Sequence, residues 1–274
     1  MLARNPLDLL PMAENGSSRS RCALVTGGAR GIGAAIAEEL ARDGWHVGVN
    51  YGSDAAGASA VVARIESSGG RATSVQADVA DPGAVDAMFA RLEDWGGPVL
   101  ALVNNAGIRE DRLAVGLEFE SWKRVIGVNL HGAFNTIHRG LGPMVRARFG
   151  RIVNLSSISA SQALPGQSSY AASKAGLEAL TRTVAVEVAR RGVTVNAIAP
   201  GVVDTSFLPE AAEEWLDSVP AKRLGEPGEV AGLVSYLISE RAAYVNGAVI
   251  RMDGGLTAGI GIVVKKAKTS AKAT

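Results

Sequence analysis

Short apolar runs alternate with longer stretches of helical spacing from residue 22 onward. The runs read as strands at CALVTGG (22–28), HVGVNY (46–51), ATSVQADV (72–79), VLALVNNAG (99–107), RIVNLSS (151–157), VTVNAIAP (193–200) and AVIRMDGG (248–255). Ile32, Ile36 and Leu40 recur at helical spacing over 31–43. Further helices are predicted over 54–68, from Asp81-Pro82 to about 94, and over 119–147, 168–191 and 227–239. Pro143 predicts a kink or a local ending inside the helix over 119–147. Seven continuously apolar strands alternating with helices predict an α/β fold, a parallel sheet covered on both faces. No repeat or linker divides it, so a single domain is expected over 21–256. Residues 1–20 read as a loose leader and 257–274 as a basic tail.

Composition narrows the function classes. The chain has 28 Lys+Arg against 27 Asp+Glu, a net charge of +1, which gives no support to general adhesion to nucleic acid or membrane. Lys265, Lys266, Lys268 and Lys272 are concentrated in the tail. The single cysteine, Cys22, excludes an internal disulfide and any cysteine-cluster metal site, and its place at a strand start makes it a small core residue. No apolar run reaches the roughly 18 residues of a membrane span, and the leader has no signal-peptide core. A reducing, cytoplasmic setting is expected. His46, His131 and His138 lack ligand spacing, so no metal is expected. Glycine is in excess, 33 of 274 residues, against roughly 7% in an average protein.

Part of that excess falls where the first strand turns into the first helix, at Thr26-Gly27-Gly28-Ala29-Arg30-Gly31-Ile32-Gly33. Glycines there let the backbone approach a pyrophosphate at a helix N-terminus; a plain glycine turn is the alternative. The second strand ends Asn50-Tyr51-Gly52-Ser53, with no acid before Asp54. A carboxylate there would hold an adenosine ribose 2′-hydroxyl and repel a 2′-phosphate. Its absence, with Arg30 as a phosphate partner and Asn50 and Ser53 adding hydrogen bonds, favours NADP(H) over NAD; an ordinary surface arginine is the other reading of Arg30. Asp78-Val79 offers a carboxylate to an adenine amino group, or alternatively a helix cap shared with Asp81. Asn104-Asn105-Ala106-Gly107 is a small polar turn against which a ligand can lie. Pro200, Gly201, Val203 and Thr205 suit a nicotinamide-side loop.

The candidate chemistry lies further along. Tyr170 and Lys174 are four apart in a helix and so share a face. A phenol of pKa ~10 is a poor acid–base catalyst at neutral pH, and an adjacent cation shifts it downward. Ser157, at a strand end 13 residues earlier, can hold a substrate carbonyl beside that phenol. Its neighbour Ser156 would point to the other side of the strand. Asn129 is a polar residue among Val125, Val128 and Leu130, in an inward position suited to holding a water or to an ordinary buried amide.

Thr26–Gly33, Asn104–Gly107, Asn129, Ser157, Tyr170, Lys174 and Pro200-Gly201 in this order resemble a classical short-chain dehydrogenase/reductase, over about residues 22 to 255. The resemblance implies a Rossmann fold. NNAGI followed by Arg109-Glu110-Asp111-Arg112-Leu113, with GRIVNLSS, SSYAASKAGLEAL and VPAKRLGEPGEVA, is most similar to 3-oxoacyl-[acyl-carrier-protein] reductases. That resemblance implies that Tyr170 protonates a carbonyl while NADPH delivers hydride. Lys174 lowers the tyrosine pKa and holds the nicotinamide ribose, Ser157 orients the carbonyl, and Asn129 holds a relay water. It further implies a homotetramer built on the two long helices and the last strand. The expected substrate is a small acyl thioester, delivered by an acidic acyl carrier protein. Arg148 and Arg191 fall where carrier-docking arginines lie in the resembled reductases, in a basic cluster with Arg146, Arg151 and Arg190 expected near the site mouth. Helix ends also collect arginine to complement the dipole. Phe207, Leu208, Trp215 and Leu216 read as an apolar lid over 203–219.

Overall fold

A computed structural model describes residues 21–206 and 216–259. The leader, the lid residues Phe207, Leu208 and Trp215, and the four lysines of the tail lie outside the described residues. Seven parallel strands form one sheet: β1 (Cys22–Val25), β2 (His46–Tyr51), β3 (Arg71–Gln76), β4 (Val99–Asn104), β5 (Gly150–Leu155), β6 (Val193–Pro200) and β7 (Val249–Met252). Their order is β3-β2-β1-β4-β5-β6-β7. The order reverses between β1 and β4, and open sheets of this kind bind ligands at such a reversal, beyond the strand C-termini. Helices α1 (Gly31–Arg42), α2 (Ala55–Ser67) and α7 (Pro227–Ile238) pack together as one layer. The other layer is built from α3 (Pro82–Gly96), α5 (Gly132–Ala147) and α6 (Ser168–Val188), with the short α4 (Phe119–Ile126) against α6. Among the described residues no helix is long and apolar enough to cross a membrane.

Both faces of the sheet are covered at its centre, where β1, β4, β5 and β6 are buried at every position. Cys22 is a core residue whose thiol burial pushes up to about 12, a value at which it is inert. Gly48 in β2 makes room for a neighbour: a Cβ there would sit 2.7 Å from a methyl of Leu92.

Three sequence expectations shift. The stretch 119–147 is not one helix, because α4 and α5 are separated by a π-helical turn, Gly127–His131. The helix is interrupted there and not at Pro143, which α5 runs through. The helix from 168 ends as α-helix at Val188 and closes through Ala189–Arg191 onto Gly192, at φ 71°. Five of the seven strands stop two or three residues short of their apolar runs, and those residues turn into the loops described below.

A buried polar chain crosses the centre of the sheet. Thr136 on α5 donates to Asn104 Oδ1 at 2.6 Å, Asn104 to Asn154 Oδ1 at 2.8 Å, and Asn154 to Thr181 Oγ1 on α6 at 2.8 Å. Asn104 and Asn154 are register partners on β4 and β5. Every member is buried, so a break leaves amide groups with no water to replace their partners. Asn154→Ala is expected to cost about 2–3 kcal/mol in urea denaturation; a loss below about 0.5 kcal/mol would show that the chain does not stabilise the sheet.

Candidate active site

A cavity of about 600 Å3 runs along the C-terminal edge of the sheet. At one end lies the glycine turn between β1 and α1. Gly27 has φ 61°, and a Cβ there would sit 2.9 Å from the Cα of Ala106. Gly33 is tighter, since a Cβ would meet the carbonyl oxygen of Gly27 at 2.3 Å and Asn105 Nδ2 at 2.5 Å. Gly31, at φ 54°, faces Thr205. No side chain caps the N-terminus of α1, so its first N–H groups and the positive end of its dipole are open to an anion. These features fit a dinucleotide pyrophosphate.

Gly27, Arg30, Gly31, Ile32, Gly33, Asn50, Tyr51, Ser53, Asp78, Val79, Asn105, Ala106, Gly107, Pro200, Gly201, Val203 and Thr205 all line this cavity, together with Ser157, Tyr170 and Lys174. Two of them are committed elsewhere. Asn50 was expected to add hydrogen bonds for a 2′-phosphate. Its Oδ1 instead accepts from Gly27 N at 3.3 Å, and its Nδ2 donates to the Val75 and Ala77 carbonyls at 3.3 and 3.1 Å. Asn105 Nδ2 donates to the carbonyls of Thr26 and Gly27, both at 2.9 Å. These amides shape the pocket, and neither presents free donors to it. Asp54 is likewise occupied: it caps α2 by accepting from Gly57 N at 2.9 Å. Arg30, Ser53 and Asp78 are exposed at the rim, with Asp78 Oδ1 accepting from Ala80 N at 2.9 Å.

At the other end α6 and the loop after β5 bring the reacting residues together. Tyr170 and Ser157 share a side-chain hydrogen bond, and Ser157 Oγ accepts from Ser159 N at 3.1 Å. Ser156 lines the same cavity as Ser157 but has its own partner, donating to Glu178 at 2.8 Å. Lys174 is buried; its Nζ donates to the Leu155 carbonyl at 2.6 Å and lies 5.6 Å from the centroid of the Tyr170 ring.

The electrostatics correct the sequence reading. Burial, the largest influence, raises the Tyr170 pKa above its ordinary value; the Ser157 hydrogen bond and the Arg109 charge oppose it, and Asp111 adds to it. The net shift is thus opposite to the downward one expected from Lys174, whose own pKa burial brings down to about 8. Asn129 is a buried amide, one of the two readings its apolar neighbours allowed. Its Oδ1 accepts from Ile108 N at 2.8 Å, and its Nδ2 donates to the Ile108 carbonyl at 3.0 Å and to Ser173 Oγ at 3.0 Å. Both amide hydrogens are therefore used inside the protein, and the residue clamps the loop after β4. It does not line the cavity itself.

The arginine cluster is misplaced relative to its expected location. Arg148 and Arg191 do lie near each other: Arg148 Nη2 donates to the Arg190 carbonyl at 3.4 Å. They precede β5 and β6, whereas Ser157 follows β5. The length of a six-residue strand, about 20 Å, therefore separates them from the reacting end of their own chain. Arg151 is buried and donates to the carbonyls of Gly150 and Gly192, so it is not part of an exposed patch.

Sequence reasoning missed Arg109 and Gln167 as cavity residues. Arg109 follows the NNAGI turn by one residue. Gln167 stands three before Tyr170, on the same side of a helix start, and its Oε1 accepts from Ser159 Oγ at 2.9 Å. Helical spacing from the tyrosine was the signal available for it.

A buried lysine held well below its ordinary pKa costs stability. Below pH 8 both folded and unfolded chains carry the proton and the full penalty applies. Between about 8 and the ordinary lysine value of 10.5 only the unfolded chain keeps it, so the penalty fades. Lys174→Met is expected to be more stable than the parent at pH 7 by about 1–3 kcal/mol, with the gap closing as pH rises through that window. Thermal unfolding across pH checks this, and a gap that widens with pH would contradict it.

The model of a family described as enoyl-(acyl carrier protein) reductase matches residues 27–257. The chain is 41% identical over 241 residues to the 3-oxoacyl-[acyl-carrier-protein] reductase FabG of Staphylococcus epidermidis, covering 86% of this chain and 99% of that protein. It is 42% identical over 244 residues to the 3-oxoacyl-[acyl-carrier-protein] reductase MabA of Mycobacterium bovis, covering 88% and 94%. Among solved structures it is similar to levodione reductase, with a TM-score of 0.84, 33% identity and coverage of 88% and 99%. A dehydrogenase/reductase from Sinorhizobium meliloti 1021 is similar as well, at TM-score 0.83, 36% identity, and coverage of 88% and 96%. Likeness of this extent, in sequence and in the course of the backbone together, shows that the chain belongs to the short-chain dehydrogenase/reductase family and is an oxidoreductase.

Proposed function

We propose that the protein is an NADPH-dependent reductase of 3-oxoacyl thioesters, serving fatty-acid or polyketide synthesis. The observation that carries this reading is the cavity itself. It joins an anion-binding helix start to a hydrogen-bonded Ser157–Tyr170 pair, in a chain 41–42% identical to two such reductases. Family membership implies a nicotinamide dinucleotide. The 2′-phosphate preference is supported by Arg30 at the rim and by Asp54, whose carboxylate is engaged in capping α2.

When bound, the dinucleotide supplies hydride chemistry. The chain's own residues supply the rest. Ser157 holds the carbonyl oxygen against the Tyr170 hydroxyl, and Tyr170 gives its proton to that oxygen. Lys174 keeps two donors beyond its bond to Leu155 for the ribose hydroxyls. Asn129 keeps the loop after β4 in place.

With acetoacetyl thioester, the protein is expected to consume NADPH, and Tyr170→Phe to lose about 10²–10⁴-fold in kcat. Arg30→Ala is expected to raise the KM for NADPH about 10–100-fold while leaving that for NADH nearly unchanged. Turnover of cyclic ketones but not of the thioester would favour another alcohol dehydrogenase of the family.

The same reading includes an acidic acyl carrier protein and a homotetramer. Exposed Phe134 and Val186 on α5 and α6 support assembly on those helices. Since Arg148 and Arg191 stand far from the reacting end of their own chain, a carrier seated on them would serve the site of a neighbouring copy. Arg148→Glu with Arg191→Glu is expected to lower activity on a carrier-bound thioester while sparing a short diffusible one. Equal loss on both substrates would exclude docking there.

A further inference from the structure

The segment from Ile108 to Leu113 crosses the reacting end and is pinned at three places. Asn129 brackets Ile108 on both its N–H and its carbonyl. Arg112 N donates to the Gly166 carbonyl at 2.9 Å, tying the segment to the loop that leads into α6. Glu110 pairs with Arg124 on α4. Arg109 stands between the first two pins. Its Nε lies 3.1 Å from Asp111 Oδ2, its side chain is only 18% exposed, and it lines the same cavity as Ser157 and Tyr170.

Polar and charged groups of three elements share the cavity of Tyr170 or act on its phenol. Lys174 comes from its own helix, Ser157 from the end of β5, and Arg109 and Asp111 from the pinned segment. Lys174 is the weaker cation for the purpose. Its Nζ lies toward the ring, is bound to the Leu155 carbonyl, and is held to a pKa of about 8 by burial. A guanidinium keeps its proton over the whole range in which a phenol titrates. In a reduction the proton passes from Tyr170 to the carbonyl oxygen, and a phenolate remains until it is reprotonated.

We propose that Arg109 is a positioning residue for this proton transfer: latched to Asp111, its guanidinium faces Tyr170 from the substrate side of the cavity and stabilises the phenolate. The influence of its charge on Tyr170, opposed by that of Asp111, agrees with this arrangement. The inference rests on Tyr170 acting as the acid and is independent of which carbonyl compound is the substrate.

Near-ultraviolet difference titration of the phenolate tests it without any substrate, with Tyr170→Phe subtracted to isolate the one tyrosine. Arg109→Gln is expected to move the Tyr170 titration upward by about half to one pH unit, and Arg109→Lys to restore most of it. Asp111→Asn, which removes the opposing carboxylate, is expected to move it downward. With saturating dinucleotide and an alcohol, the rising limb of the pH–rate profile should move up with the titration in Arg109→Gln. A Tyr170 titration that stays put in folded Arg109→Gln and folded Asp111→Asn overturns the assignment, whatever happens to turnover. Failure to reduce the thioester, with these shifts observed, would instead count against the proposed substrate alone.

Discussion

The Asn105 amide, donating to the carbonyls of Thr26 and Gly27, ties the end of β4 to the end of β1. The hydroxyl of Thr26 answers by accepting from the backbone N–H groups of Asn105 and Ala106, each at 3.0 Å. This exchange closes the crevice where the strand order reverses, and the cavity is built outward from it. It requires glycine at 27 and at 33, because any Cβ would enter the space that the latch occupies. Asn50 fastens the same turn to β3 from the other side. The dinucleotide end is thus a set of backbone groups held rigid by buried amides, with charge supplied at the rim.

The reacting end follows the opposite logic. Lys174 is buried and Tyr170 half-buried, and loss of water disfavours their charged forms: the Tyr170 pKa is raised and that of Lys174 is lowered. A site in this state has stability invested in function, since Lys174 would be better accommodated as an apolar residue. The neighbouring polar contacts, from Ser157 and from the pinned segment carrying Arg109, decide how far the phenol is brought back toward useful acidity. The π-helical turn at 127–131 belongs to the same arrangement. It places the Asn129 amide against Ile108 and Ser173, so an irregular helix holds the start of the loop after β4.

Much of this was legible in the chain. Apolar runs and helical spacing located every strand and the layers around them, and the glycine turn, Ser157, Tyr170 and Lys174 all reach one cavity. The strand ends were misjudged in an informative direction. Ala77 and Val79, Asn105 to Gly107, and Ser156 and Ser157 are small or apolar enough to continue a strand pattern, but they leave the ladder to line the cavity. Periodicity sees burial and is blind to whether a ladder hydrogen bond accompanies it. The position of Arg148 and Arg191 was misread for a different reason: both lie close to site residues in sequence, but a strand or a helix length intervenes in space.

Local patterning determined the fold class, the direction of the sheet and the identity of the groups with chemistry, because period, turn residues and helix spacing act over a few residues. The tertiary structure alone decided their states. Whether an amide such as Asn50 or Asn129 is free or spent depends on partners from segments distant in sequence. Whether Lys174 lowers the tyrosine pKa depends on how much water burial removes from both. Arg109 gained a place in the cavity of Tyr170 only when the loop after β4 was tied to the loop that leads into α6. Electrostatic energy in a protein depends on solvent access and on neighbours in space, and neither is written in the order of residues along the chain.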